Sequence, residues 1–231
     1  MLLEESDPSL PPLHRVILQK APYCKVKSAL LIRETNLKTI SFIGIAKAIN
    51  SLGSFYSTLK EDDPETLSNL STINQRRVPT SIEGNYKKAL QLWKSIYTPF
   101  DEKLIQKLSS FHPDLPIHIL HSHYGALLSD PINSNGPIGR IGTSLIAVST
   151  LRSAGKLGPQ LTSHVFGLKK SLDEIKRGEV DGIQELGTGV EWLVSDLGVQ
   201  WVIESVDKLS KIVEVSQLEL QELENLPKSK L

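Results

Sequence analysis

The sequence has little cysteine, no charge imbalance and no long apolar run, and each scarcity excludes a class of protein. Cys24 is the only cysteine, which excludes an intramolecular disulfide, a Cys-x-x-Cys redox pair and a cysteine-rich metal site. Lys+Arg and Asp+Glu both number 26, so no basic excess favours nucleic acid as a partner. No apolar stretch approaches the roughly 18 residues that span a bilayer, so we expect no membrane partner.

Composition and the positions of proline-rich and polar stretches predict how the chain is divided into a domain and flexible segments. The amino-terminal stretch is acidic and rich in proline, which fits neither a secretory signal nor an arginine-rich transit peptide. With 231 residues, of which 39% are apolar, the chain can form one sizeable core. We expect a flexible arm over residues 1–13, a single all-helical domain over 14–215 and a flexible tail over 216–231. The polar stretch 60–82 predicts a long surface loop or lid.

The stretch from Gly139 to Ser171 predicts two packed helices around one histidine. Apolar residues cover most of the circumference of the first helix, over residues 140–154, which indicates a buried helix. His164 lies on the apolar stripe of the second helix, where a polar side chain costs stability unless it has a partner. His164 is therefore the leading candidate for a functional residue. Ser171 and Glu174 fit a capping box, which predicts that another helix begins there.

Three further histidines, His118, His121 and His123, lie close together in the stretch IHILHSHYGALL. The spacing of His118 and His121 lets two imidazoles on one helix reach one ion. They flank the apolar stripe, and no acidic or cysteine ligand stands at a matching spacing. We therefore interpret both as solvated histidines and expect neither a metal nor another cofactor. His123, beside Tyr124, is the better candidate for a pocket.

The residues around His164 read Gln-Leu-Thr-Ser-His-Val-Phe-Gly-Leu and follow a buried helix and a small-residue turn. This pattern resembles the core of the carboxymuconolactone decarboxylase and alkylhydroperoxidase-D-like superfamily. The likeness to the variant form found in fungal peroxisomal proteins extends through Arg33-Glu34-Thr-Asn-Leu-Lys38, Gly44 with Ala48-Ile49-Asn50, and Tyr124-Gly125. The resemblance implies an all-α, AhpD-like fold of orthogonally packed helices. It also implies a homo-oligomer, either a trimer or hexamer or else a dimer, with active sites near the subunit contacts.

The resemblance also bears on the chemistry. The peroxidase branch of the superfamily uses a Cys-x-x-Cys ahead of the helix histidine, whereas this chain has Leu157-Gly-Pro-Gln160 there. Without a thiol nucleophile, thiol peroxidase activity is excluded. The decarboxylase branch binds a small carboxylated lactone and uses an Arg-Glu pair together with the histidine. In this chain the corresponding positions hold Thr143 and Ser144, which departs from the standard decarboxylase pattern.

The groups that remain for proton transfer are His164, which can act as a general acid or base near neutral pH, and the helpers Gln160, His123 and Tyr124. Arg152 is the candidate partner for a substrate carboxylate. The alternative for Arg152 is to end its helix in solvent, where a cation near the carboxyl terminus is favourable.

Ser229, Lys230 and Leu231 form the C-terminal tripeptide that the peroxisomal import receptor reads. At ordinary residue frequencies, an accidental match is expected on the order of once in a few thousand chains. The tripeptide follows a polar segment that contains proline and should expose it. We therefore expect the peroxisome matrix as the location and the import receptor as a partner.

Two hypotheses of different classes stay open at this point. The first is a cofactor-independent lyase or decarboxylase of the peroxisome that uses His164 for proton transfer on a small carboxylate or acyl substrate. The second is a catalytically degenerate oligomer that serves as a binding or scaffold protein. A cavity at His164 with a second ionisable group favours the enzyme, whereas a filled core favours the scaffold.

Overall fold

A computed structural model describes residues 10–21, 23–70, 72, 76, 81–131, 138–179 and 189–224 of the chain, with side chains up to residue 214. These residues form helices joined by turns and contain no strand, which confirms the all-α class. Among the described helices, none combines the length and the apolarity needed to cross a membrane. The tripeptide Ser229, Lys230 and Leu231 lies outside the described residues.

The helices of the first half of the chain are α1 (Leu10–Lys20), α2 (Lys25–Lys38), α3 (Ile40–Ile43), α4 (Ile45–Asp62), α5 (Pro64–Ser68), α6 (Ile82–Tyr97) and α7 (Asp101–Phe111). In the second half, α8 (Leu115–His118) runs directly into a π-helix (Ile119–Leu128). The remaining helices are α9 (Gly139–Ala154), α10 (Gly158–Lys176), α11 (Val190–Leu193) and α12 (Asp196–Glu224).

Parts of the three segments that were expected to lack regular structure are helical. Residues 10–13 of the expected arm belong to α1, because proline is tolerated in the first turn of a helix. The expected loop over 60–82 begins with the end of α4 and then α5, which the Asp63 side chain caps by accepting from the Thr66 N–H at 3.1 Å. The expected tail over 216–231 continues the helix α12 to Glu224.

The capping box predicted at Ser171 is wrong. Helix α10 passes through Ser171 without interruption, and the buried Ser171 hydroxyl donates to the carbonyl of Leu168 in the preceding turn. Ser171 therefore satisfies its hydroxyl within the helix, and it does not cap a new helix.

Apolar side chains of the described residues gather in three clusters, and the candidate site lies between two of them. One cluster joins α6 to the π-helix around Trp93 and Ile96. A second joins α9 and α10 to α11 and α12 around Val148 and Leu168. The third joins α1, α2, α4 and α5 around Phe55. The site forms where α6, the π-helix, α9 and α10 meet.

Candidate functional site

His164 lies on the face of α10 that packs against α6, and only 5% of its surface is exposed. Gly167 lies one turn further along this face. A Cβ at Gly167 would lie 2.7 Å from Cγ2 of Ile96, so the close approach of α10 to α6 requires glycine there. This approach places the His164 Nε2 atom 3.2 Å from the Tyr97 hydroxyl.

Three groups form a hydrogen-bonded chain, which we call the Tyr-His chain and define as His164, Tyr97 and Tyr124. The Tyr97 and Tyr124 hydroxyl oxygens are 2.8 Å apart. A hydroxyl can both donate and accept, and an imidazole does so with its two nitrogens. The hydroxyls can therefore point toward His164 or away from it, and a change between these two arrangements shifts protons along the chain.

Aromatic rings enclose the Tyr-His chain. Phe42 presents its edge to His164 with the ring centroids 5.7 Å apart. Trp93 contacts both tyrosines, with centroid distances of 4.2 Å to Tyr97 and 5.0 Å to Tyr124. These rings pack against the chain and fix its side chains in one geometry.

Arg140 ties the three helices around the chain together. From α9, its Nη1 donates to the Ser144 hydroxyl at 2.6 Å. Its Nη2 donates to the carbonyl oxygens of Ser95 at 2.9 Å and Gly167 at 2.8 Å. The Nε atom lies 3.6 Å from a carboxylate oxygen of Glu174. A buried guanidinium thus connects α9 to both α6 and α10 beside His164.

Burial keeps every member of the Tyr-His chain uncharged at neutral pH. Burial, followed by the nearby positive charge of Arg140, lowers the pKa of His164 from its ordinary value of 6.5 to about 4. Burial raises the pKa of Tyr97 and raises that of Tyr124 well above its usual range. The Nδ1 atom of His164 is also buried and has no hydrogen-bond partner among the described residues. Only one of the two ring nitrogens of His164 therefore has a hydrogen-bond partner among the described residues.

A pocket of about 470 Å³ opens beside the Tyr-His chain between α6, α7 and α10. It is lined by Ile96, Tyr97, Phe100, Lys103, Leu104, Lys107, Ser163, Phe166 and Lys170. Its volume is that of a small-molecule site. Tyr97 belongs both to the lining and to the Tyr-His chain, so it connects the pocket to His164.

Of the site residues predicted from the sequence, the structure brings His164 and Tyr124 together through Tyr97. Gln160 is exposed on the first turn of α10. His123 hydrogen-bonds the Ser41 hydroxyl at 3.1 Å, and its ring contacts that of His118.

Arg152 lies on the outer surface, away from the pocket lining. Its Nε and Nη2 atoms donate to the two carboxylate oxygens of Asp207 at 2.6 and 2.7 Å. This ion pair joins α9 to α12 in solvent, which was the alternative expected for Arg152.

The expected solvated histidines also have aromatic or hydroxyl partners. His121 stacks on Tyr86 with the ring centroids 4.9 Å apart, and the His118 Nδ1 lies 3.1 Å from the Ser122 hydroxyl. Within the described ranges, no group of three possible metal ligands comes together.

The sequence pattern does not single out Tyr97 or Arg140 as site residues. Tyr97 belongs to the apolar stripe of α6, and helical spacing cannot tell where a phenol hydroxyl points. In the sequence, Arg140 marks the start of a helix whose other residues are small or apolar. Its charge is the feature that indicates a site residue, since a charge on a buried helix must be paired.

A second buried polar cluster surrounds Lys38, which has no exposed surface. Its ammonium lies 2.8 Å from Oδ1 of Asp130 and also donates to the carbonyl of Leu128. The other carboxylate oxygen of Asp130 accepts from the N–H of Gly139 at 2.7 Å. Thr143 lies 3.5 Å from the same ammonium. This cluster fixes the start of α9, and we interpret it as structural.

Comparison of the chain with protein-family models, with curated proteins and with solved structures gives no match. The function is therefore inferred from the geometry of the site.

Proposed function

We propose that the chain is a peroxisomal matrix lyase, similar to carboxymuconolactone decarboxylases, that binds a small carboxylate or acyl substrate and transfers a proton through the Tyr-His chain. One observation carries the proposal. Tyr97 lines the pocket, and its hydroxyl lies 3.2 Å from His164 Nε2. A group that contacts both a ligand site and a buried imidazole is placed to pass a proton between them.

In this proposal, decarboxylation breaks the bond between the carboxyl carbon and its neighbouring carbon. The electron pair of that bond passes onto a carbonyl group of the substrate, β to the carboxylate, because no cofactor is proposed to accept it. Carbon dioxide leaves, and Tyr97 gives its hydroxyl proton to the carbon that carried the carboxyl group. His164 takes up a proton when the anionic substrate binds, and its Nε2 then returns that proton to the phenolate oxygen of Tyr97.

Electrostatics support an acid–base role only when the pocket is filled. With a pKa of about 4, the free His164 is a poor base at neutral pH. An anionic substrate beside Tyr97 adds a negative charge near the imidazole, which raises its pKa. The bound substrate thus moves His164 toward the range in which it can take up and return a proton.

The test is decarboxylation in heavy water. Candidate carboxylates are incubated with the protein, and NMR records carbon dioxide release and deuterium at the carbon that carried the carboxyl group. We expect Tyr97→Phe to lower the rate by about 100-fold or more, as for the loss of a general acid. Tyr86→Phe, the same change at an exposed tyrosine, serves as the matched control. Equal rates for Tyr97→Phe and the native protein would contradict the proposal.

A second candidate function, an oligomeric binding or scaffold protein, is favoured by the surface of α11 and α12. Trp192 and Trp201 are 48% and 53% exposed, and their ring centroids lie 5.8 Å apart. Exposed paired tryptophans are typical of a protein contact. Light scattering on the native protein and on Trp201→Gln distinguishes the candidates. A scaffold should lose subunits in this variant and show no carboxylate turnover, whereas turnover by the native oligomer would exclude the degenerate function.

The peroxisomal part of the proposal is supported by the tripeptide Ser229, Lys230 and Leu231. We expect a chain with a fluorescent protein fused to its amino terminus to enter peroxisomes, and the same fusion without Leu231 to stay in the cytosol. Import can also occur bound to an intact subunit, so the test is made in cells that lack the native chain. Import of the truncated fusion in those cells would contradict the proposal.

A further inference from the structure

The walls of the pocket are suited to an aliphatic chain. Phe100 and Phe166 line it and are 64% and 58% exposed, and Leu104 also belongs to the lining. Aromatic and aliphatic side chains on opposite sides of a cleft can bury methylene groups from water. Contact with a chain of carbon atoms would therefore cover apolar surface that the protein leaves open.

The charges at the pocket all have one sign. Lys103, Lys107 and Lys170 line it, and no carboxylate is found among its described lining residues. Lys103 and Lys107 lie one turn apart on the same face of α7. Three ammonium groups around an apolar cleft are complementary to one anionic head group.

Lys170 is held in place for such a head group. Its Nζ donates to the carbonyl of Ile96 at 2.9 Å and also to the carbonyl of Thr98. An ammonium has three N–H donors, so two of them fix its position and the third can bond a ligand. Because Lys170 is anchored at the end of α6, an anion bound there would lie close to Tyr97.

We infer that the pocket takes a medium-chain aliphatic β-keto carboxylate, with its carboxylate at Lys170, Lys103 and Lys107 and its chain against Phe100, Leu104 and Phe166; saturated carboxylates of the same length are its unreactive binding probes. The inference rests on the proposed function, because it names the class of substrate for the same site. A short dicarboxylate would leave the apolar wall uncovered. A coenzyme A ester would bring a nucleotide for which the lining offers few polar partners.

The test is calorimetric titration of the full-length protein with hexanoate, octanoate and decanoate. Each added methylene should tighten binding by roughly threefold to fourfold, as expected for a buried methylene group. Decanol, which has the same chain without the charge, should bind at least tenfold more weakly than decanoate. Equal affinities for hexanoate and decanoate, or for decanol and decanoate, would overturn the inference.

Variants test the head-group site. Lys170→Met should weaken decanoate binding by tenfold or more. Lys169→Met is the matched control, because the neighbouring Lys169 pairs with Asp196 outside this pocket. Should Lys170→Met fail to fold, the double variant Lys103→Gln with Lys107→Gln changes only exposed side chains and should weaken binding to a similar extent. Unchanged binding in the double variant would overturn the inference.

The ligand panel separates failure of the inference from failure of the proposed function. Tighter binding of malonate or succinate than of decanoate would overturn the aliphatic substrate class and leave proton transfer on a small carboxylate standing. Tighter binding of decanoyl-coenzyme A than of decanoate would overturn the assignment of a carboxylate as the head group and would leave the aliphatic chain of the ligand standing. No heat with any of these carboxylates or with the coenzyme A ester would overturn both.

Discussion

Protonation of His164 should couple the stability of the fold to pH. The pKa of this histidine is about 4 in the folded chain and near the ordinary 6.5 when unfolded. Between these two values the unfolded chain binds the proton and the folded chain does not, so the free energy of unfolding falls as pH falls. From about pH 7.5 to about pH 5, this one group should remove about 2 kcal/mol of stability. Below about pH 3 its contribution no longer changes.

The matched perturbation is His164→Gln, which keeps a polar side chain and removes the titration. Urea denaturation followed by circular dichroism, at several pH values, gives the free energy of unfolding of each protein. The native protein should lose about 2 kcal/mol more than His164→Gln across that pH range, because other titrating groups, including the buried His14, are common to both. The same pH dependence in His164→Gln and in the native protein would contradict a lowered pKa of His164 in the folded chain.

Three further variants test the packing that positions the site, by urea denaturation in each case. Gly167→Ala places a Cβ 2.7 Å from Cγ2 of Ile96 and should cost about 1–3 kcal/mol by overpacking; an unchanged midpoint would contradict the close approach. Arg140→Met removes the guanidinium that bridges the carbonyls of Ser95 and Gly167 and should cost about 1–3 kcal/mol; it should also raise the pKa of His164, which NMR can measure, and a lower value would contradict the charge effect. Lys38→Met leaves Asp130 without its ammonium and should cost about 3 kcal/mol, and Asp130→Asn in the same chain should restore part of it; a Lys38→Met variant as stable as the native protein would contradict the structural interpretation.

The sequence predicts those parts of the fold that local periodicity determines. The buried helix α9 was expected over 140–154 and is found over Gly139–Ala154, because its apolar residues and its small residues both favour a buried helix. The end of α10 could not be predicted in this way. Ser171 and Glu174 fit a capping box locally, but the packing of α10 carries the helix through them.

The candidate site was predicted in part. His164 stood out because a histidine on an apolar stripe needs a partner, but that partner, Tyr97, comes from a helix distant in sequence. Tyr124 reaches Tyr97 through a π-helix, in which the Ser129 N–H bonds the Tyr124 carbonyl five residues earlier, at 3.1 Å. The wider turn shifts the side chains away from the α-helical spacing that a sequence pattern assumes.

Nitrogen-15 NMR of the His164 imidazole during a titration with decanoate shows directly whether the pocket is coupled to the histidine. We predict that the nitrogen shifts change with ligand in the native protein, that the pKa of His164 rises in the complex, and that Tyr97→Phe removes most of the response. Decanoate binding without any change at the His164 nitrogens would contradict the claim that Tyr97 connects the pocket to the histidine.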